Sequence, residues 1–129
     1  MDFLNYLQKY NAQEKINKLA KKYKNKRVVI YGAGQFAKTA FENYDLSKLN
    51  IVAIADKKFE QEGEHHFFNI NCVKPNDLKN LDYDVILIAN FDYKMFATIL
   101  DESILYGSKN AAVEIRPLIN LEFKDLFRK

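Results

Sequence analysis

The stretch KRVVIYGAGQFAK, residues Lys26–Lys38, decides the fold of this chain. It opens with a short apolar run, Val28–Tyr31, of the kind that forms a buried strand. The run stops at Gly32, and apolar residues at helical spacing follow almost at once, beginning with Phe36. A buried strand, a glycine turn and the start of a helix in one stretch predict the first βα unit of an α/β domain.

Strands and helices are predicted to alternate on both sides of this stretch. Apolar runs indicate strands at residues 27–31, 51–55, 67–73, 83–89 and 111–115. Helical spacing indicates helices at residues 2–24, 35–44, 75–80 and 93–105, the first of which bends or splits at Asn11. We therefore expect a Rossmann-like parallel sheet of about five strands in the order 3-2-1-4-5, with flanking helices. Residues 1–129 form one domain, with an N-terminal helical extension at 1–25 and a C-terminal tail at 117–129.

The composition of the chain argues against several classes of protein. A formal charge of +3 on 129 residues is too small to indicate a nucleic-acid partner. No apolar run reaches the length of a membrane span, and the N-terminus lacks the apolar core of a signal peptide. The single cysteine, Cys72, excludes an internal disulfide. These features predict a cytoplasmic protein that does not insert into a membrane.

The glycine turn matches the pattern G-x-G-x-x-G/A of nucleotide-binding domains, ending at Ala37. In this pattern the first glycine permits the tight turn, and the second has no side chain to hold a phosphate away from the backbone. The start of the following helix presents unpaired N–H groups and a partial positive charge. The phosphates of a ligand are therefore predicted to lie against the backbone of Gly32, Ala33, Gly34, Gln35 and Phe36.

Residues after two other strands extend the predicted site. Asp56 ends the second strand, 19 residues past Ala37, where a carboxylate accepts hydrogen bonds from an adenosine ribose. A carboxylate favours NAD(H), whereas the adjacent Lys57 and Lys58 would suit the 2′-phosphate of NADP(H), so the sequence supports both cofactors. Asn90 follows the fourth strand, opposite the glycine turn, where it either binds the ligand or caps the next helix.

Other candidate sites in the sequence are weak. His65, His66 and Cys72 do not form a metal pattern, because adjacent histidines in an extended chain point in opposite directions and no second ligand pair follows. The sequence also has no P-loop, H-E-x-x-H or G-x-S-x-G motif. We therefore predict no metal site, and the catalytic residues, if the protein is an enzyme, are unknown.

The chain resembles the Rossmann-type nucleotide-binding domain of bacterial polysaccharide and sugar-nucleotide biosynthesis proteins. The resemblance covers roughly residues 26–105, in the segments YGAG (31–34), IADKKFEQEG (54–63), NINCV (69–73), PNDL (75–78) and LDYDVILIAN (81–90). It implies NAD(H), NADP(H) or a nucleotide-sugar as the ligand. The acyltransferases of this group carry a histidine at the glycine turn, where this chain has Gln35 and Phe36, and the dehydratases keep their catalytic residues in a separate domain.

Three functions agree with these patterns. The first is a small dinucleotide- or nucleotide-sugar-binding protein that acts in bacterial surface polysaccharide biosynthesis. The second is an NAD-dependent oxidoreductase or epimerase that a partner chain completes. The third is a ligand-free interaction domain, suggested by the apolar N-terminal helix and by the helix-like spacing of Leu121, Phe123, Leu126 and Phe127 in the tail. A homodimer through either segment, or a partner enzyme of the same pathway, is also expected.

Overall fold

A five-stranded parallel sheet forms the centre of the computed structural model, which describes residues 2–120. Its strands are β1 (Val28–Tyr31), β2 (Ile51–Ala55), β3 (Cys72–Val73), β4 (Val85–Ile88) and β5 (Glu114–Pro117). All neighbouring strands pair in parallel, and their order across the sheet is β3-β2-β1-β4-β5. The predicted fold class and strand order are therefore confirmed.

Helices cover both faces of this sheet. The α-helices are α1 (Phe3–Lys9), α2 (Ala12–Lys22), α3 (Gln35–Asn43) and α4 (Tyr93–Ile99). A π-helical turn, Leu100–Ile104, continues α4, and the 3₁₀ turns Lys57–Glu60 and Pro75–Lys79 follow β2 and β3. Within residues 2–120, no helix is long and apolar enough to cross a membrane.

The two central strands, β1 and β4, are buried at every position. Val28 and Ile30 of β1 belong to the apolar cluster that includes α1, α2 and α3, whereas Val29 and Tyr31 belong to the cluster that includes α4. A parallel strand covered on both faces is expected to be apolar along its whole length. This requirement explains why the runs VVIY and VILI contain no charged residue.

The N-terminal helices complete the helical layer on one face of the sheet. Right-handed crossovers put α3 on one face and α4 on the other, because the chain moves in opposite directions from β1 and from β4. The crossovers therefore leave β4 uncovered on the face that carries α3. Leu7 of α1 and Ile16 of α2 fill this gap, since they share a buried cluster with Val85 and Leu87 of β4. The predicted N-terminal extension is thus part of the core.

Polar contacts fix α2 beside the edge strand β5. The hydroxyl of Tyr23 donates a hydrogen bond to the carboxylate of Glu114, and the ammonium group of Lys15 donates one to the carbonyl of Asn120. Burial, and then the bond to Glu114, raise the pKa of Tyr23. These contacts hold the N-terminal helices against the β5 end of the sheet.

Several element boundaries differ from the predictions. The expected strand at 67–73 is reduced to Cys72–Val73, because Phe68 and Asn69 adopt left-handed backbone conformations (φ 47° and 60°) that a strand excludes. The expected strand at 111–115 was placed too early, since Ala111 lies in a turn and the ladder to β4 begins at Glu114. The split of the first helix at Asn11 is confirmed, with φ 53° at that residue.

The apolar pattern predicted for Leu121, Phe123, Leu126 and Phe127 lies outside the described residues. The homodimer expected through the N-terminal helix or the tail stays a prediction. Leu7 and Ile16, which gave the N-terminal helix its apolar face, pack within their own chain. Dimerisation through that segment would therefore have to use the residues that α1 and α2 leave exposed.

Candidate functional site

The glycine turn lies at the carboxyl edge of the sheet, between β1 and α3. Gly32 has φ +111°, and a Cβ at this position would lie 2.8 Å from the carbonyl oxygen of Ala89, just beyond β4. The N–H of Gly32 donates to the carbonyl of Ala55 at the end of β2, at 2.8 Å. Gly32 is therefore required by the close packing of the turn against both neighbouring strands.

Gly34 is not required by the fold in the same way. Its backbone is extended (φ −91°), and among residues 2–120, its two chain neighbours aside, no atom lies within 4 Å of the position that a Cβ would occupy. Gly34 precedes α3, whose first hydrogen bond runs from the N–H of Lys38 to the carbonyl of Gly34, at 3.0 Å. The amides of the first turn of α3 have no acceptor within the helix. The missing side chain thus leaves open space in front of a helix N-terminus.

Asp56 holds the glycine turn in place. Its Oδ2 accepts a hydrogen bond from the N–H of Ala33 at 2.7 Å, and its Oδ1 accepts one from the N–H of Lys58 at 2.9 Å. The N–H of Ala33 is therefore engaged with this carboxylate rather than free for a phosphate. Each carboxylate oxygen can accept a second hydrogen bond, and Asp56 is partly exposed, so contact with a ribose is still geometrically possible.

A pocket of about 460 Å³ opens beside the turn, on the side of β2. This volume is in the range of small-molecule sites. The pocket is lined by Ala33, Gly34, Gln35, Lys38, Lys58, His66, Phe67 and Phe68. Basic side chains and a helix N-terminus thus form one part of its wall, and aromatic rings form another. This combination suits a ligand that carries both negative charge and a flat apolar group.

Lys58 is the predicted lysine that reaches the glycine turn. Its ammonium group donates a hydrogen bond to the carbonyl of Ala33 and lies 5.9 Å from the ring centre of Phe67. Lys57, the preceding residue, is exposed and does not line the pocket. The 3₁₀ turn starts directly after Asp56, and its second residue, Lys58, therefore folds back over the glycine turn.

The aromatic wall depends on an unusual backbone. Phe68 and Asn69 are both left-handed, a conformation that costs on the order of 1–3 kcal/mol for a residue other than glycine. Phe68 packs in a stacked arrangement on Phe41, with ring centres 5.4 Å apart, and 47% of its surface stays exposed. Phe67 is buried and packs edge-on against both rings, at 5.4 Å from Phe41 and 4.9 Å from Phe68. The cluster holds the ring of Phe68 at the rim of the pocket.

The crevice between the start of α3 and the end of β4 is filled by the chain itself. The ring of Tyr6 lies 6.0 Å from that of Phe36 in α3 and 5.2 Å from that of Phe91, which follows β4. Phe3 also packs on Phe36, at 5.4 Å. Aromatic side chains of α1 thus bridge α3 and the loop after β4 at the point where the strand order reverses.

Asn90 lies in this region, but its side chain makes a hydrogen bond within its own turn. Its Oδ1 accepts a hydrogen bond from the N–H of Asp92 at 2.9 Å, which forms a turn just before α4. Asn90 stays on the other side of the turn, whereas four of the predicted positions come to the pocket wall: Ala33, Gly34, Gln35 and Lys58. Phe36 points toward α1 and is buried.

Sequence reasoning did not identify four of the residues that line the pocket, which are Lys38, His66, Phe67 and Phe68. Lys38 lies four residues after Gly34, one turn into α3, so helical periodicity would have found it. The two phenylalanines had no such signal, because they were predicted to lie in a strand. For His66 the sequence suggests no role other than that of a metal ligand.

The surroundings of His65, His66 and Cys72 bear on whether these side chains can bind a metal ion. Within residues 2–120, no group of three or more histidine, cysteine or acidic side chains is placed to hold a metal ion. The Nε2 of His65 lies 2.8 Å from the carbonyl oxygen of Gln61, and that of His66 lies 3.4 Å from the carboxylate of Glu64. Burial raises the pKa of Cys72, which keeps its thiol protonated.

Comparison with known proteins adds a family. Residues 24–105, more than half of the chain, match a family described as C2185-like, N-terminal. The match includes the glycine turn, the whole pocket wall and α4, and it begins after α2. Searches of curated proteins and of solved structures gave no significant match. The chain therefore belongs to the family of C2185-like N-terminal domains.

Proposed function

We propose that this protein binds a nucleotide, with its phosphates against Gly34 at the N-terminus of α3. The observation that carries the proposal is the open space over Gly34, because neither a positive φ nor a close neighbour requires a glycine there. A ligand that approaches the backbone would require it. An N-terminus of this kind favours an anion, since unpaired amide groups and the helix dipole both point toward it.

The surrounding side chains support a phosphate at this point. Lys38 and Lys58 line the same pocket, and Lys58 is held against the turn through its hydrogen bond to Ala33. Charge-assisted hydrogen bonds from such groups are about twice as strong as neutral ones. Asp56 fixes the turn through its bond to the N–H of Ala33, so that the phosphate-facing backbone is preformed.

The aromatic part of the wall supports a base or sugar ring next to the phosphates. Phe68 exposes nearly half of its surface at the rim of the pocket. Stacking of a base on an aromatic side chain contributes about 1–3 kcal/mol in single-stranded nucleic-acid complexes. The nucleotide part of NAD(H), NADP(H) or a nucleotide-sugar, the ligands expected from the sequence, fits this wall.

The biological role that we propose rests on the sequence resemblance alone. It is a role in bacterial surface polysaccharide or sugar-nucleotide biosynthesis, in the cytoplasm, where such ligands are made and used. No acid–base pair among the described lining residues suggests a reaction, so we propose binding rather than catalysis.

Ligand-dependent thermal stability tests this proposal. The melting temperature should rise with at least one of ADP, UDP, GDP, CDP, UDP-glucose, NAD(H) or NADP(H). A ligand at 100 times its Kd adds about 2.7 kcal/mol to the free energy of unfolding. Gly34→Val should abolish the rise, since its side chain would project into the pocket. The variant should still fold, although the altered helix cap should lower its free energy of unfolding by about 1 kcal/mol.

Gly34→Ser separates a blocked pocket from a changed cap. Serine is a preferred residue at the start of a helix, so this variant should keep or raise the melting temperature without ligand. Its smaller side chain should weaken ligand binding less than valine does. A ligand-induced rise that is the same in the wild type and in Gly34→Val would reject the proposed site.

A further inference from the structure

A dinucleotide needs more room at the edge of the sheet than one pocket offers. In a doubly wound sheet it lies across the crevice where the strand order reverses, with its pyrophosphate at the helix N-terminus. Here the order reverses between β1 and β4. Asp56 directly follows β2 and marks that side as the ribose side. The second half of a dinucleotide would therefore have to lie over β4, close to Phe91.

That space is taken by α1. The ring of Tyr6 packs edge-on to that of Phe91 at 5.2 Å and also contacts Phe36. It therefore closes the crevice between α3 and the loop after β4. Phe3 also packs edge-on against the Phe36 ring, with ring centres 5.4 Å apart. Burial, together with the nearby Tyr10 and Tyr93, raises the pKa of Tyr6, which is the response of a phenol enclosed by other groups.

The position of α1 is fixed rather than loose. Leu7, on the same short helix, is fully buried in the core. Asp2 caps the helix, with its Oδ1 accepting hydrogen bonds from the N–H groups of Leu4 at 3.0 Å and Asn5 at 3.2 Å. Withdrawing Tyr6 from the crevice would therefore disturb the core through Leu7. The pocket on the β2 side is formed without α1, since none of its lining residues belongs to that helix.

We infer that this domain recognises only the nucleoside diphosphate part of its ligand. The reason is that Tyr6 of α1 closes the crevice that the second half of a dinucleotide would enter. This inference rests on the proposed nucleotide site. Any group attached beyond the phosphates, whether a nicotinamide riboside or a sugar, stays outside the crevice and adds no affinity. Tyr6 is thus a residue that sets specificity without touching the bound nucleotide.

Calorimetric titration of the full chain with ADP against NAD⁺, and with UDP against UDP-glucose, tests the inference. In the wild type each larger ligand should bind no more tightly than its nucleoside diphosphate. Tyr6→Ala should open the crevice and improve the affinity for NAD⁺ relative to ADP by fivefold or more. Phe91→Ala, at a residue that is 47% exposed, opens the crevice from the other side and serves if Tyr6→Ala does not fold.

Tyr106→Ala is the matched control, because Tyr106 is 79% exposed and lies outside the crevice contacts. It should leave both affinities unchanged. If wild-type protein binds NAD⁺ more than tenfold tighter than ADP, the inference is wrong while the nucleotide site stands. An unchanged NAD⁺ to ADP ratio in the folded crevice variants also overturns it. If no nucleotide binds to the wild type at millimolar concentration, the proposed function fails, and the inference fails with it.

Discussion

Gly32 and Gly34 are two residues apart and obey different constraints. Gly32 has a positive φ and lies against the carbonyl oxygen of Ala89, so the fold alone accounts for it. Gly34 has an ordinary extended backbone with open space above it. A sequence pattern treats the two glycines as equivalent parts of one motif. Only the geometry shows that the second glycine is the one that a ligand would explain.

The two lysines after Asp56 offer a test at the scale of single residues. Lys58→Gln should weaken the binding of a nucleoside diphosphate by about tenfold or more, because one hydrogen bond to a charged group contributes about 1.5–3 kcal/mol. Lys57→Gln removes the same charge from the adjacent residue, which does not line the pocket, and should change the affinity less than twofold. Isothermal titration of both variants measures this difference. Equal losses would show that only the overall charge matters.

At the scale of elements, one carboxylate joins the residues that come directly before β1 and β4. Oδ2 of Asp84 accepts a hydrogen bond from the backbone N–H of Arg27 at 2.7 Å, and its side chain also pairs with the guanidinium group. The backbone bond, followed by the side-chain bond, lowers the pKa of Asp84 below its usual 3.8. The carboxylate thus aligns the start of the two central strands.

This contact predicts a pH dependence of stability. Because the folded-state pKa of Asp84 is lowered, its contribution is present above the unfolded value of 3.8 and is lost as the pH falls through the lower folded value. The difference in melting temperature between wild type and Asp84→Asn should therefore shrink as the pH falls below 4. Thermal unfolding between pH 2.5 and 7 measures it. Asp101→Asn removes the same charge from an exposed residue away from this contact and serves as the control.

The elements also show how much the sequence could predict. The strand order followed from continuous apolar runs, as in β1 and β4, and from the alternation of strands with helices. The segment around Phe68 could not be predicted, because its left-handed backbone has no glycine to signal it and depends on packing against Phe41. The glycine turn and Asp56 were predictable since a local pattern specifies them. The closure of the crevice by Tyr6 was not, because it depends on contacts across most of the chain.

At the scale of the whole molecule, the N-terminal helices form part of the apolar core on one face of the sheet. Ile16→Ala should lower the free energy of unfolding by about 2–5 kcal/mol, because Ile16 is fully buried beside the residues of β4. Ile99→Ala, at a residue that is 38% exposed, should cost clearly less. Urea denaturation of both variants provides the comparison. A small loss for Ile16→Ala would mean that the N-terminal helices are an independent appendage.

The edges of the sheet bear on how copies of the molecule could associate. At one edge, β3 is only two residues long, and at the other, β5 has four residues and ends in Pro117, which has no N–H to donate. An incoming strand would find few backbone groups to pair with at either side. Neither edge is therefore a good template for fibril growth or for a sheet continued between subunits. An oligomer of this chain is expected to form through helix surfaces instead.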